Sequence, residues 1–164
     1  MVSAVRVVAQ VVDPELPMLT LHDLGVVRAV EVSDTGAVRV TITPTYSGCP
    51  AIEVMCADLR AALHQAGYAD VEVRTVLSPA WSTDWISAEG RRKLAEHGIA
   101  PPDRLGPRPT DPVPLTLAPP SSTVHCPRCA SPGTDELSHF GPTPCTALRR
   151  CLVCREPFQH MKQI

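Results

Sequence analysis

Apolar residues recur along this chain with two different periods, and each period marks a different kind of element. Val5, Val8 and Val12 fall at helical spacing, which predicts a helix over residues 2–12. Asp13-Pro14-Glu15-Leu16-Pro17 must end it, because two prolines so close together leave little room for helical backbone. Thr20 is placed to cap a single turn from Leu21 to Leu24, closed by Gly25. Alternation then takes over from Val26 to Val32 and again from Ala37 to Thr43, with Asp34-Thr35-Gly36 between them, the pattern of an antiparallel hairpin. Ile52, Cys56, Leu59 and Leu63 share one face of a helix running to Gly67, with Pro50 suited to its first position. Val71, Val73, Thr75 and Leu77 alternate as a third strand, and Ser87 is placed to cap a last helix through His97, stopped by Gly98 and Pro101-Pro102.

The order helix, strand, strand, helix, strand, helix describes an α+β domain with a three-stranded sheet over residues 1–100. Its periodicity stops at residue 101. Eight of the 24 residues from 101 to 124 are proline and none is aromatic, so this stretch reads as an extended spacer and sets a domain boundary. Residues 125–164 form a separate small unit. The net charge of −2 hides an asymmetry: residues 1–100 carry eight Lys/Arg against twelve Asp/Glu, and residues 125–164 carry five against three. An acidic body, and no basic stripe interleaved with aromatics, argue against a nucleic-acid partner. No stretch approaches a membrane span, and the run from Met1 to Gln10 lacks the apolar length and cleavage site of an export signal. A cytoplasmic location is therefore expected, and the seven cysteines are better read as thiols and metal ligands than as a disulfide framework.

Cys126-Pro127-Arg128-Cys129 and Cys151-Leu152-Val153-Cys154 are two C-x-x-C pairs separated by 21 residues. Each is a knuckle whose tight turn aims two thiolates at one point, and four thiolates give zinc a closed tetrahedral structural site. With Phe140, Leu148 and Phe158 as its main large apolar groups, this tail is too small to fold on core burial alone, so the metal has to supply folding energy. A zinc ribbon is the expected fold. An iron-sulfur cluster on the same thiolates stays open on ligand chemistry. Cys145 is a further candidate ligand, able to replace one of the four or to stay free, and His125, His139 and His160 are spare candidates. Cys56 is expected to be a buried packing thiol.

The remaining cysteine stands in Thr43-Pro44-Thr45-Tyr46-Ser47-Gly48-Cys49-Pro50, between a predicted strand and a predicted helix. A thiol at a helix N-terminus meets unpaired N–H groups and the positive end of the dipole, which favour the thiolate, so Cys49 is a candidate nucleophile or metal ligand. Burial as a packing residue is the competing reading. The tryptophan-bearing segment from Ser78 to Ile86 is expected to pack over the sheet end near this loop.

That loop, together with Asp13-Pro14-Glu15-Leu16-Pro17 and Asp23-Leu24-Gly25-Val26-Val27, resembles the motifs of the iron-sulfur assembly domain family. Ser78 to Gly90, Arg91-Arg92-Lys93-Leu94, the exit Gly98-Ile99-Ala100-Pro101-Pro102 and the cysteine-rich tail bring the chain closer to one branch, the D subunits of phenylacetyl-CoA epoxidase systems. The resemblance implies an accessory maturation factor in aerobic phenylacetate degradation. Its functional thiol, or transient iron or iron-sulfur ligand, would be Cys49, with Asp13, Glu15 and Asp23 at the family's acidic motif positions. The implied partners are the oxygenase and reductase components of the epoxidase or the iron-sulfur assembly machinery, and a homodimer stays open. In agreement, the sequence shows no Gly-rich dinucleotide loop, so catalysis by this chain alone is not expected. A structural or electron-transfer subunit of the oxygenase is the alternative.

Overall fold

The computed structural model describes residues 2–46, 48–104 and 123–163, which gather into two compact units, one ending at His97 and one running from Gly98 to Gln163. Most of the expected proline-rich spacer, residues 105–122, lies outside the described residues. No described helix is long and apolar enough to cross a membrane.

In the first unit, α1 (Ala4–Val8), β1 (Val27–Val32), β2 (Val38–Ile42), α2 (Ile52–Gln65), β3 (Val71–Thr75) and α3 (Ala88–Glu96) follow the predicted order. The sheet order is β1-β2-β3, antiparallel between β1 and β2 and parallel between β2 and β3, with α2 as the crossover. Val38, Val40 and Ile42 of the central strand are fully buried while Arg39 is exposed, so the period-2 pattern did select the core face. Gly36, at φ +83°, closes the hairpin turn through its N–H to Ser33 O.

Three local expectations are corrected. The first helix is only five residues long. Valine is a weak helix former, and from Val11 the chain turns extended: Val12 bridges Thr20, Leu21 N–H donates to Val11 O, and Asp13 N–H donates to Leu19 O. Second, α2 begins at Ile52 with Ala51 as its cap, so Pro50 stands before the helix rather than at its first position. Third, its buried stripe is Met55, Leu59 and Leu63, spaced by four; Cys56, one step further round the helix, is half-buried. The predicted Ser87 cap is present, its Oγ accepting from Gly90 N–H at 2.9 Å.

The second unit is one antiparallel ribbon with a short parallel addition, in the order β4-β7-β6-β5: β4 (Ile99–Ala100), β5 (Thr134–Ser138), β6 (Thr146–Cys151) and β7 (Pro157–Met161). Ile99 and Ala100, read from sequence as the exit of the first domain, are therefore a strand of the second sheet. Ile99, Cys145, Ala147 and Met161 are buried in this unit, and a further buried cluster gathers Ala100, Val124, Cys126, Cys151 and Phe158. Two of those five residues are candidate metal ligands, and so small a core cannot hold four strands by apolar burial alone.

Candidate functional site

The two C-x-x-C knuckles are structural copies of each other. In the first, Ala130 N–H donates to Cys126 O at 2.9 Å and Cys126 N–H to Ser131 O at 2.9 Å. In the second, Arg155 N–H donates to Cys151 O at 3.1 Å and Cys151 N–H to Glu156 O at 3.0 Å. Ala130 and Arg155, each directly after the second cysteine of its pair, both take the left-handed conformation, at φ 58° and 65°. That conformation costs about 1 kcal/mol for a residue with a side chain, so each knuckle is held by something stronger than its own turn.

The sulfurs supply it. Cys126 Sγ lies 3.7 Å from Cys154 Sγ, Cys129 Sγ lies 3.6 Å from Cys151 Sγ, and all four are within 4.8 Å of one another. A tetrahedral metal bonded to four thiolates at about 2.3 Å sets the sulfurs about 3.8 Å apart, so the residues present fit a single ion. A multi-iron cluster would need its thiolates spread further around it. The N–H groups of Cys154 and Val153 aim at Cys151 Sγ and pull that thiol below the ordinary cysteine range, while at Cys154 the pull of the Glu156 N–H is outweighed by desolvation and the neighbouring sulfurs, which push that thiol up, so the four thiols do not ionise alike. Cys145 is outside the group: it is buried beside Thr143, with 3.1 Å between Sγ and Oγ1. The spare histidines are outside it too. His125 and His139 are exposed, and His160 is buried in β7, where burial and then Arg149 hold it down to about 4 and keep it neutral.

In the first unit, the loop after β2 buries Cys49 to 6% exposure. Its N–H donates to Tyr46 O at 3.2 Å and its carbonyl accepts from Ile52 N–H at 3.4 Å, so the residue is tied into the approach to α2. Beside this loop lies a cleft of about 200 Å³ lined by Thr43, Pro44, Thr45, Tyr46, Leu77 and, from the tryptophan segment, Ala80 and Trp81. Trp81 Nε1 donates to Leu24 O at 2.9 Å, and the Arg28 guanidinium lies 3.5 Å from the centre of the Trp85 ring, so this segment does reach over the sheet end. Thr43 is buried with its hydroxyl unpaired among the described residues, a feature the sequence did not flag. Gly48 is exposed, and a Cβ there would come within 3.2 Å of the Tyr46 ring.

Two of the acidic motif residues, Asp13 and Asp23, are held as parts of the frame. Asp13 Oδ1 accepts from Glu15 N–H at 2.9 Å and Leu16 N–H at 2.8 Å, folding the Pro14–Pro17 turn back on itself. Burial raises its carboxyl above the usual value, against the pull of those two N–H groups, and Glu15 is raised by partial burial and by Asp13. Asp23 is a junction: its carboxylate accepts from Lys93 Nζ at 2.7 Å, Thr20 N–H at 3.1 Å and Ser87 Oγ at 3.3 Å, and its carbonyl accepts from Ser87 N–H at 2.9 Å. Burial pushes its carboxyl up, but Lys93 and Thr20 together outweigh that and hold it below the ordinary range. Gly90 is required beneath it, since a Cβ there would lie 2.8 Å from Asp23 O. Lys93, Ser87 and Gly90 were invisible as partners of Asp23, because no local pattern links positions some 70 residues apart.

Comparison with known proteins places these features in context. The family described as "Iron-sulfur cluster assembly protein" matches residues 4–75, and the "PaaD zinc beta ribbon domain" matches residues 110–162. The chain is 45% identical over 156 residues to a candidate D subunit of 1,2-phenylacetyl-CoA epoxidase from Escherichia coli, covering 95% of this chain and 88% of that protein. It is 34% identical over 91 residues to an Fe-S protein maturation auxiliary factor from Porphyromonas gingivalis, covering 55% of this chain and 86% of that one. The crystal structure of a DUF59 domain from Bacillus anthracis overlaps with a TM-score of 0.52 at 27% identity, covering 56% of this chain and 87% of that chain.

Replacing Cys151 by Ser is expected to abolish tight metal binding and unfold the second unit while the first stays folded. Metal analysis with hydrogen exchange checks this, and a variant retaining full metal and ribbon protection would contradict it. Asp23→Asn should cost about 2 kcal/mol at neutral pH, because it removes the charge that Lys93 pairs with. Since the Asp23 carboxyl is depressed on folding, that stabilisation is present above its unfolded value of about 4 and is lost as pH falls through the folded value. Denaturant unfolding at several pH values reads the difference, and a gap between variant and parent as large at pH 3 as at pH 7 would show that the pair is not electrostatic.

Proposed function

Because the chain belongs to the family of phenylacetyl-CoA epoxidase D subunits, and carries the iron-sulfur assembly domain joined to a ribbon, we propose that it is a maturation factor for the epoxidase. In this reading it assists assembly of an iron or iron-sulfur centre in another component rather than catalysing epoxidation. The observation that carries this reading is a division of thiols between the two units. Four are gathered in the second unit as a closed set, and Cys49 is set in the preorganised loop of the first. Among the described residues, the four-cysteine set is the only group of three or more metal-ligating side chains lying close together. Cys49 can therefore offer a single thiolate, which suits a centre shared with a client and passed on to it.

The ribbon ion in this proposal is zinc, held by Cys126, Cys129, Cys151 and Cys154. Zinc has no redox chemistry and fills its coordination with four thiolates, so it would fix the ribbon as a docking element. That argues against the electron-transfer alternative, which needs a redox-active group in this chain. Pro44 and Pro50 limit the freedom of the loop, which lowers the entropy lost when the opened loop is ordered on a partner. Because Cys49 is buried at rest, engaging iron requires the loop to open, and Gly48 gives the backbone that latitude. Asp13 and Asp23 serve by shaping the frame behind the loop. The client is the oxygenase or reductase component or the general assembly machinery, in the cytoplasm.

Cys49→Ser is expected to fold and keep its ribbon metal yet fail to support active epoxidase in cells, whereas Cys56→Ser at its half-buried position should leave epoxidase formation intact. The assay is epoxidase activity and iron content in cells carrying each variant, with the amount of folded variant measured alongside. Normal epoxidase with Cys49→Ser would reduce this thiol to a packing role.

A further inference from the structure

The first sheet leaves a strand edge whose chemistry matches itself. In the order β1-β2-β3, the far side of β3 has no strand beside it among the described residues. Sheet edges are commonly guarded by proline, by charged side chains or by a bulge; β3 has neither proline nor bulge, and its two charges, Glu72 and Arg74, are of opposite sign. Its sequence is Val71-Glu72-Val73-Arg74-Thr75, and its register against β2 runs unbroken from Val38↔Val71 to Ile42↔Thr75. The opposite edge, β1, carries a register irregularity between Val27 and Ala29.

We propose that β3 is a homodimer interface, in which two copies of this chain pair their β3 strands antiparallel about a twofold axis at Val73. Antiparallel pairing centred on Val73 sets Val73 opposite its own copy, Val71 opposite Thr75, and Glu72 opposite Arg74, the last two pairs occurring twice because an isologous interface repeats each contact. Glu72 and Arg74 share the exposed face, and directly opposed residues on one face of an antiparallel pair lie close enough for opposite charges to attract. Sliding the register by two residues one way brings Arg74 against itself with no compensating pair, and the other way brings Glu72 against itself while Arg74 meets Asp70, outside the strand; only the alignment at Val73 pairs both charges within the strand and opposes no like charges. The pairing also extends a pattern within each copy. Glu31 stands opposite Arg39 across β1 and β2, and Arg39 stands opposite Glu72 across β2 and β3 with Nε 2.7 Å from Oε2. Arg74 of the second copy continues that row with alternating sign. Val71 and Val73 are only half-buried at the edge, and the added strand would cover them. A five-residue edge is smaller than the interface of a permanent dimer, so the association is weak and reverses on dilution.

The test is sedimentation velocity of the full chain over a concentration series, with four forms. The parent should dimerise reversibly. Glu72→Arg alone or Arg74→Glu alone should weaken association about tenfold or more, since two attractive cross-strand pairs become two repulsive ones. The double exchange Glu72→Arg with Arg74→Glu should restore it, because the same two pairs form with their signs swapped. Mixing the two single variants should give a heterodimer in preference to either homodimer, a readout that generic destabilisation does not produce. Thermal melts confirm that each variant is folded, and Arg74→Glu, which breaks no close intrachain ion pair among the described residues, serves if Glu72→Arg does not fold. A parent that stays monomeric throughout, single variants that associate as the parent does, or a mixture without heterodimer preference would each overturn the proposal.

Discussion

Four sulfur atoms within 4.8 Å of one another set the terms for the second half of this chain. Four thiols brought together without an ion would leave their mutual repulsion on ionisation uncompensated, and the two left-handed residues that follow the knuckles add strain. One metal ion removes both difficulties by joining the knuckles at their tips. With it in place, Cys126 and Cys151 join Ala100, Val124 and Phe158 in one buried cluster, and β5, β6 and β7 can extend as a ribbon around it. Coordination supplies here what apolar burial supplies in a larger domain.

The first unit is stabilised differently, and the contrast bears on function. Leu19, Leu21, Leu24, Val26, Val38, Val40, Ile42, Leu59, Leu63 and Leu94 are buried, and Asp23 ties the turn before β1 to the start of α3 through Thr20, Ser87 and Lys93. A buried ion pair is weak evidence for net stability, but losing one partner is costly, so this junction fixes geometry more than it adds free energy. Asp13 does the same over a shorter range. Two acidic residues that look in sequence like candidates for chemistry, Asp13 and Asp23, are thereby accounted for by architecture, and in the proposed function the contact with iron falls to Cys49.

What could be read from the sequence followed from how local its causes are. The strands were legible because alternation reports a half-buried sheet directly, as with Val38, Val40 and Ile42, and the α3 cap because Ser87 and Gly90 are neighbours. The four-cysteine group was legible because each knuckle is a four-residue motif. Failures came where tertiary contacts overrode a local pattern. The valine spacing of residues 2–12 suggested a longer helix, but Val12 is drawn into a bridge with Thr20. Cys56 fitted a helical stripe on spacing, yet Met55 faces the core, a rotation of one residue that periodicity with few apolar markers does not resolve. Ile99 and Ala100 looked like an exit because Gly98 and two prolines flank them, and only the pairing with Gln159 and His160 makes them a strand. The partners of Asp23 and the unpaired hydroxyl of Thr43 had no signal in the sequence.

Maturation by this chain, as proposed, depends on one fixed metal in the ribbon and one exchangeable iron contact at Cys49. Metal content and optical spectra of the full chain, purified in parallel with and without oxygen, measure both at once. The expected result is one zinc per chain in either preparation, and iron with thiolate-to-iron absorption only in the anaerobic one, absent when Cys49 is replaced by Ser. Iron that persists in Cys49→Ser and disappears with the ribbon cysteines, or an anaerobic preparation with zinc alone even when iron and sulfide are supplied, would contradict it.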